Sequence, residues 1–148
     1  MVTPYSFPAN ILLVDDNRDG LLVRRALLEE AGYRVEVAGS GEEGLKLFEA
    51  VRFDVVVTDY RMPRMNGAEL IQRIRRLDPD ARVILLSGFV DPLGLTEGGT
   101  GANVVLAKSS NEAAHLTRWV KRLLNRAAAR KPPATQRRPA AQARAGNR

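Results

Sequence analysis

The stretch Val55-Val56-Val57-Thr58-Asp59-Tyr60-Arg61-Met62-Pro63 carries the strongest fold signal of the chain. Its three consecutive valines show no polar alternation, and a short run of this kind predicts a strand that is covered on both faces, as in a parallel sheet. The run ends in Asp59, so an acidic side chain lies where the strand leaves the sheet. Neighbouring strands of the same kind would bring further polar side chains to that point.

Four more segments of the sequence predict strands. Ile11–Val14, Val83–Leu86 and Val104–Leu106 are short apolar runs of the same type, and each predicts a buried strand. Tyr33–Val37 alternates between polar and apolar residues, which favours a strand at the edge of the sheet. The sequence therefore predicts five strands.

Amphipathic segments lie between and after these strands. Apolar residues spaced by three and four positions predict helices that pack one face on the sheet. Ser40 with Glu43, and Ser109 with Glu112, are predicted capping boxes that open two of these helices. Gly32 is predicted to end a helix over residues 21–28. Pro79 is predicted to end another, whose apolar face consists of Leu70, Ile71, Ile74 and Leu77. In the last helix Trp119 is expected in the core with Leu116 and Leu123.

Alternating strands and helices predict a doubly wound α/β domain with a parallel sheet. Right-handed crossovers place the carboxyl ends of all its strands along one edge, where ligands of such sheets bind. The polar residues that follow the strands are the acidic pair Asp15-Asp16, Asp59, Ser87 and Lys108. These side chains are therefore the candidate functional residues.

The chemistry of this set favours a hard cation and a phosphoryl group. Crowded carboxylates repel one another unless a cation lies among them, and oxygen ligands without His or Cys favour Mg²⁺. A carboxylate can act as a nucleophile toward phosphorus. Lys108 would supply a positive charge and Ser87 a hydrogen-bond donor for phosphoryl oxygens. The set suits the acceptance of a phosphoryl group.

Residues 9–126 resemble the receiver domain of bacterial two-component response regulators, the CheY-like family. The resemblance rests on Asp15-Asp16, on Thr58 to Gly67 with its Met62-Pro63 and Asn66-Gly67, on Ser87-Gly88 and on Lys108. The intervals 16 to 59, 59 to 87 and 87 to 108 are 43, 28 and 21 residues, close to those of the family. The resemblance implies a flavodoxin-like, five-stranded parallel sheet of order 2-1-3-4-5.

The resemblance also implies a role for each candidate residue. Asp59 would accept a phosphoryl group from a phosphohistidine of a sensor histidine kinase or phosphotransfer protein. Mg²⁺ would be held by Asp15, Asp16, Asp59 and the backbone carbonyl of Arg61. Ser87 would bond the phosphoryl oxygen and Lys108 would pair with it. The domain would not be an enzyme beyond the chemistry of its own phosphorylation and dephosphorylation.

The sequence departs from the family pattern at three places. Ser109 follows the lysine where the family commonly has a proline, and Val105 replaces an aromatic side chain that often rotates during switching. Residues 91–101 contain four glycines and a proline, so the fourth helix is expected to be degenerate or short. Phe89 to Asn103 is accordingly predicted to be mobile and to change its order on phosphorylation.

Composition and charge complete the sequence-based predictions. The chain has 148 residues and no cysteine, which excludes a disulfide framework and a thiolate metal site. Its formal charge of +6 comes from residues 127–148, which hold six of the 23 basic residues and no acidic one. This Ala/Arg/Pro-rich tail is predicted to be disordered, and residues 1–8 an N-terminal extension of the domain at 9–126. No apolar run is long enough to span a membrane and the start lacks a signal peptide, so a cytoplasmic location is expected.

Two functions from different classes remain open. The first is a single-domain, phosphorylatable response regulator whose output is a protein–protein interaction; the alternative is a pseudo-receiver that binds protein without phosphorylation. Nucleic acid is not expected as a partner beyond weak, salt-sensitive attraction to the tail. His115 and Asp54 are expected to have structural roles, and the glycines of residues 94–101 lack the Gly-Lys-Ser/Thr ending of a phosphate-binding loop.

Overall fold

Five parallel strands form one sheet in the computed structural model, which describes residues 8–88 and 94–130, the last four by their backbone alone. The strands are β1 (Asn10–Val14), β2 (Arg34–Ala38), β3 (Val55–Asp59), β4 (Val83–Ser87) and β5 (Val104–Ala107). Their order is β2-β1-β3-β4-β5, with every neighbouring pair parallel. This confirms the predicted doubly wound sheet and the edge position of the alternating segment at 33–37.

Helices cover both faces of the sheet. They are α1 (Arg18–Glu30), α2 (Gly41–Ala50), α3 (Gly67–Leu77), α4 (Glu97–Thr100) and α5 (Glu112–Arg130). One core cluster joins Ile11 and Leu13 to apolar residues of α1 and α5, and the other joins Leu12 and Val14 to apolar residues of α3 and, at its margin, α2. Because successive strand residues enter opposite cores, the strands need continuous apolar runs rather than alternation.

The helix caps differ from the prediction at two places. Ser40 does accept a hydrogen bond from the backbone N–H of Glu43 at 3.1 Å, but the Glu43 carboxylate accepts from the N–H of Gly39 at 2.7 Å instead of returning to Ser40. Only half of that capping box forms. The reciprocal box lies at Asn66 and Glu69, where both hydrogen bonds are 2.9 Å and open α3.

The second predicted capping box is wrong. α5 begins at Glu112, and Ser109 precedes it in a turn where its hydroxyl accepts from the N–H of Asn111 at 3.2 Å. The Glu112 carboxylate binds the guanidinium of Arg24 on α1. A charge-assisted pair with a guanidinium is stronger than a hydrogen bond to a neutral backbone N–H, so the distant partner prevails.

The fourth helix is short, as expected from its glycines. α4 comprises one turn that Thr96 caps by accepting from the N–H of Gly99, and it ends at Gly101, whose φ of 83° lies in the left-handed region. Val105 packs at the margin of the core cluster below α3, and its N–H donates to the Glu97 carboxylate at 3.1 Å. Of the segment predicted to be mobile, residues 89–93 lie outside the described residues, and its switching stays a prediction.

α5 extends further than the predicted domain. Its backbone remains helical to Arg130, four residues beyond the expected boundary at 126, because three consecutive alanines are strong helix formers. The predicted tail therefore starts too early, and residues 131–148 lie outside the described residues. Trp119 is only partly buried: it packs against the core beside α1 while the guanidinium of Arg122 lies 4.9 Å from its ring centre.

Candidate functional site

Three carboxylates meet at the carboxyl edge of the sheet. Asp59 is the last residue of β3 and only 5% exposed, while Asp15 and Asp16 directly follow β1. One carboxylate oxygen of each residue lies within 4.8 Å of the other two. The parallel pairing of β1 with β3 produces this convergence, because it aligns the ends of the two strands. These three side chains are called the acidic pocket below.

Lys108 and Ser87 join the acidic pocket from the neighbouring strands. The Lys108 ammonium lies 2.6 Å from a carboxylate oxygen of Asp59. Its backbone N–H donates to the carbonyl of Ser87 at 2.7 Å, which ties the end of β5 to the end of β4. The Ser87 side chain is buried at the same edge. The structure thus brings Lys108 onto the acidic pocket and places Ser87 at the adjoining strand end, so the five residues that the sequence selected lie along one edge of the sheet.

The loop after Asp59 folds back tightly over the end of β3. The N–H of Gly67 donates to the carbonyl of Tyr60 at 2.8 Å, and a side chain at position 67 would collide with the backbone of Asp59 and Tyr60. Within the described residues, an open cleft of about 420 Å³ lies beside the acidic pocket and is lined by Asp16, Tyr60, Arg61, Met62, Pro63 and Asn66. The site is therefore open to a partner from the side of this loop.

A guanidinium that the sequence analysis missed also reaches the acidic pocket. Arg24 of α1 places Nη1 2.7 Å from a carboxylate oxygen of Asp15 and Nε 2.5 Å from a carboxylate oxygen of Glu112. The available signal was its position: Arg24 is three residues after Leu21 and four before Leu28, the two buried residues of α1. A charged residue on the apolar face of a helix requires a partner.

The charges at the site oppose one another. Burial raises the pKa of the Asp59 carboxyl, the hydrogen bond from Lys108 lowers it, and the nearby negative charge of Asp15 raises it again; burial prevails. For Arg24, burial alone would lower the pKa, but hydrogen bonds and charges of Glu112 and Asp15 together raise it. Arg24 therefore stays positively charged, while ionised Asp59 is less stable than a solvated carboxylate.

The donor set of the acidic pocket fits a divalent hard cation. It offers carboxylate oxygens from three residues, one of them on the exposed Asp16, and the described residues place neither His nor Cys among them. Mg²⁺ prefers such oxygen ligands and retains several waters, which an open cleft allows. The Arg61 carbonyl was predicted as a further ligand, and Arg61 lines the cleft beside Asp16.

The two residues expected to be structural are not members of the acidic pocket. The Asp54 carboxylate accepts the N–H of Asn10 at 2.8 Å at the opposite end of the sheet, where it ties the start of β1 to the chain before β3. His115 lies half-buried within α5 and is not one of the residues grouped at the acidic pocket.

The helices within residues 8–88 and 94–130 are too short or too polar to span a bilayer.

The fold and the polar set at its carboxyl edge define the class of α/β receiver modules. The family model described as the response regulator receiver domain matches residues 11–120. The chain therefore belongs to the response regulator receiver family of two-component signalling. Solved structures agree: a receiver domain protein of Clostridium thermocellum is 33% identical with a TM-score of 0.73, covering 80% of this chain and 95% of that one.

Other relatives place the same domain in different contexts. Response regulator TrrA of Thermotoga maritima, solved with Mg²⁺ and BeF, is 34% identical with a TM-score of 0.71 and covers 78% of this chain and 99% of its own. A response regulator receiver protein of Anaeromyxobacter sp. (strain Fw109-5) is 43% identical over 53% of this chain and 33% of its own length. Transcriptional regulatory protein GlrR of Escherichia coli (strain K12) is 36% identical over 62% of this chain and 21% of its own. This chain thus spans at most a third of the length of these two curated relatives.

Proposed function

We propose that the protein is a response regulator in which Asp59 accepts a phosphoryl group from a phosphohistidine of a sensor histidine kinase or phosphotransfer protein. The observation that carries the proposal is the contact between Lys108 and Asp59 inside a pocket that also holds Asp15 and Asp16. Asp59 is buried, and its neighbours Asp16 and Tyr60 line the open cleft, so a phosphodonor would approach Asp59 from this side while the carboxylate stays largely shielded from water.

The chain's own groups account for each part of the transfer. A carboxylate oxygen of Asp59 would attack phosphorus, the phosphorus–nitrogen bond of the donor would break, and the departing imidazole nitrogen would take up a proton from solvent in the open cleft. The Lys108 ammonium, which pairs with the Asp59 carboxylate in this structure, would neutralise the charge of a phosphoryl oxygen bound at Asp59. Ser87 lies buried on the neighbouring strand end, where its hydroxyl donates to the Gly88 carbonyl at 3.2 Å and would exchange this partner for a second phosphoryl oxygen.

A divalent cation belongs to this proposal. Asp15, Asp16, Asp59 and the carbonyl of Arg61 would hold Mg²⁺, which when bound would reduce the repulsion between the carboxylates and an incoming phosphoryl group. Burial disfavours the negative charge of Asp59, so added positive charge would stabilise its ionised form. The protein would then act as substrate and phosphate carrier rather than as an enzyme on other molecules.

The partner in this proposal is another protein in the cytoplasm. α1 begins beside the acidic pocket and exposes Leu22 and Val23, at 50% and 69% of their surface. Exposed apolar side chains next to a reaction site favour docking of a protein donor. The proposal also assigns the output of this domain to contact with a target protein.

Intact-mass measurement tests the acceptance of phosphate. The full chain is incubated with acetyl phosphate in the presence of Mg²⁺ or EDTA, and the expected result is the mass of one phosphoryl group in Mg²⁺ only. Asp59→Asn is expected to abolish this gain, and Lys108→Ala to diminish it. Asp54→Asn is the matched control, because it changes a carboxylate at the other end of β3.

The outcomes separate the two functions. Absence of any adduct on a folded wild-type protein would contradict the proposal and favour the pseudo-receiver alternative. An adduct that persists in Asp59→Asn would show that another residue is modified. Leu22→Asp is expected to retain labelling by acetyl phosphate while losing transfer from a phosphorylated histidine kinase domain, since only the second reaction needs docking.

A further inference from the structure

The guanidinium of Arg24 is shared by two carboxylates from different parts of the chain. Nη1 contacts Asp15 at 2.7 Å, whereas Nε and Nη2 contact the two carboxylate oxygens of Glu112 at 2.5 and 3.3 Å. Asp15 is also a member of the acidic pocket. Arg24 therefore provides a positive charge at the place where the proposed function requires a divalent cation.

This ion pair is largely shielded from water. The Arg24 side chain is 11% exposed and that of Asp15 is 3% exposed. Charge interactions weaken strongly in water but remain substantial in a shielded site. A change in the charge at position 24 is therefore felt by any other ion near Asp15.

Gly20 leaves the space that this arrangement needs. It lies four residues before Arg24 in α1, and a Cβ at this position would lie 3.0 Å from Arg24 Nη1 and 3.3 Å from the Asp15 carboxylate. Glycine is a poor residue within a helix, and alanine is the best one. The chain thus has a weak helix former at position 20, where the methyl group of an alanine would crowd the Arg24–Asp15 ion pair.

We propose that Arg24 is a resident competitor of the divalent cation, which holds Asp15 in the ion-free protein and lowers the affinity of the acidic pocket for Mg²⁺. The inference rests on the proposed function, because it assumes that this pocket takes Mg²⁺. Repulsion between a guanidinium and a divalent cation near one carboxylate opposes binding. Glu112 gives Arg24 a second partner, so the guanidinium can release Asp15 without losing all of its buried hydrogen bonds.

Isothermal titration of the metal-free full chain with MgCl₂ tests the inference without any phosphorylation reaction. Arg24→Met retains the length and apolar stem of the side chain but removes the charge. We expect the Kd of this variant for Mg²⁺ to be at least about tenfold lower than that of the wild type, and a tenfold change corresponds to about 1.4 kcal/mol. Gly20→Ala keeps Arg24 but presses its guanidinium away from Asp15, and a smaller decrease of Kd is expected. Arg25→Met is the matched control, because Arg25 is the next residue of α1 and pairs with Glu29 at an exposed position.

Each outcome decides a separate claim. Binding of Mg²⁺ by the wild type supports the proposed metal site, and the ratio of the Kd values then tests Arg24 alone. Equal or weaker binding by Arg24→Met, with Gly20→Ala unchanged, would overturn the inference while leaving the proposed function intact. Absence of binding in the wild type and in both variants would overturn both. If Arg24→Met fails to fold, Gly20→Ala carries the test, because it removes no hydrogen-bonding group and favours the helix.

Discussion

Replacement of Gly67 by alanine is expected to destabilise the domain at the loop that follows Asp59. A Cβ there would lie 2.7 Å from Leu85 Cδ1 and 3.0 Å from Tyr60 Cα, and it would also collide with the carbonyl oxygen of Asp59. Leu85 is fully buried and the other two atoms are backbone, so no simple rotamer change relieves the contact. Such overpacking costs about 1–3 kcal/mol, and the gain in helix preference of alanine over glycine offsets at most about 1 kcal/mol of it.

The expected result is a clear fall in the melting temperature. The net loss is therefore up to about 2 kcal/mol, and at roughly 4 °C per kcal/mol for a domain of this size the midpoint falls by up to about 8 °C. Thermal unfolding followed by circular dichroism measures it. Gly98→Ala is the matched control, since its Cβ would meet nothing within 4 Å and α4 gains helix preference. An unchanged midpoint for Gly67→Ala would refute the claim that position 67 has no space for a side chain.

Three further predictions concern charge and metal. In EDTA, Asp59→Asn should gain stability relative to the wild type as the pH rises from the ordinary carboxyl pKa through the raised pKa of Asp59, because the native wild type binds this proton more tightly than its unfolded state does. Thermal melts over a pH series measure the difference in stability. A difference that does not change with pH would contradict the prediction. Arg75→Met should lower the free energy of unfolding by about 2 kcal/mol and speed hydrogen exchange in residues 97–103, because Arg75 donates to the carbonyls of Gly101, Pro79 and Ala81. Substitution of the exposed Arg73 by Met is the control, and equal exchange rates in the two variants would count against this role of Arg75. Mg²⁺ at one hundred times its Kd should add about 2.7 kcal/mol to the free energy of unfolding of the wild type, and no rise of the midpoint at millimolar Mg²⁺ would argue against a formed site.

The fold and the members of the acidic pocket could be predicted because their signals are local. Each strand is a short apolar run, and the polar residue that ends it lies at a position fixed by the parallel sheet. Asp59 and Lys108 are 49 residues apart in the sequence and 2.6 Å apart in the structure for this reason. The order of the parallel strands brings the polar residues at their ends close together in space.

The roles of Arg24 and Glu112 could not be predicted in the same way. The pattern of Ser109 and Glu112 matches a capping box, and only the packing of α5 against α1 brings Glu112 to a guanidinium 88 residues away in sequence. A local pattern states which hydrogen bonds a side chain can make, not which stronger partner the tertiary structure offers. The same limit explains why the length of α5 beyond 126 was missed, since composition suggested a tail where alanines continued the helix.

Identification of the modified residue tests the central claim most directly. The wild-type chain is treated with acetyl phosphate and Mg²⁺, the acyl phosphate is reduced with borohydride, and the resulting homoserine is located by peptide mass spectrometry. Homoserine is expected at position 59 and at no other acidic position, with none formed in EDTA. Homoserine at Asp15 or Asp16, or its absence from a folded protein with Mg²⁺ bound, would contradict the assignment of Asp59 as the phosphoryl acceptor.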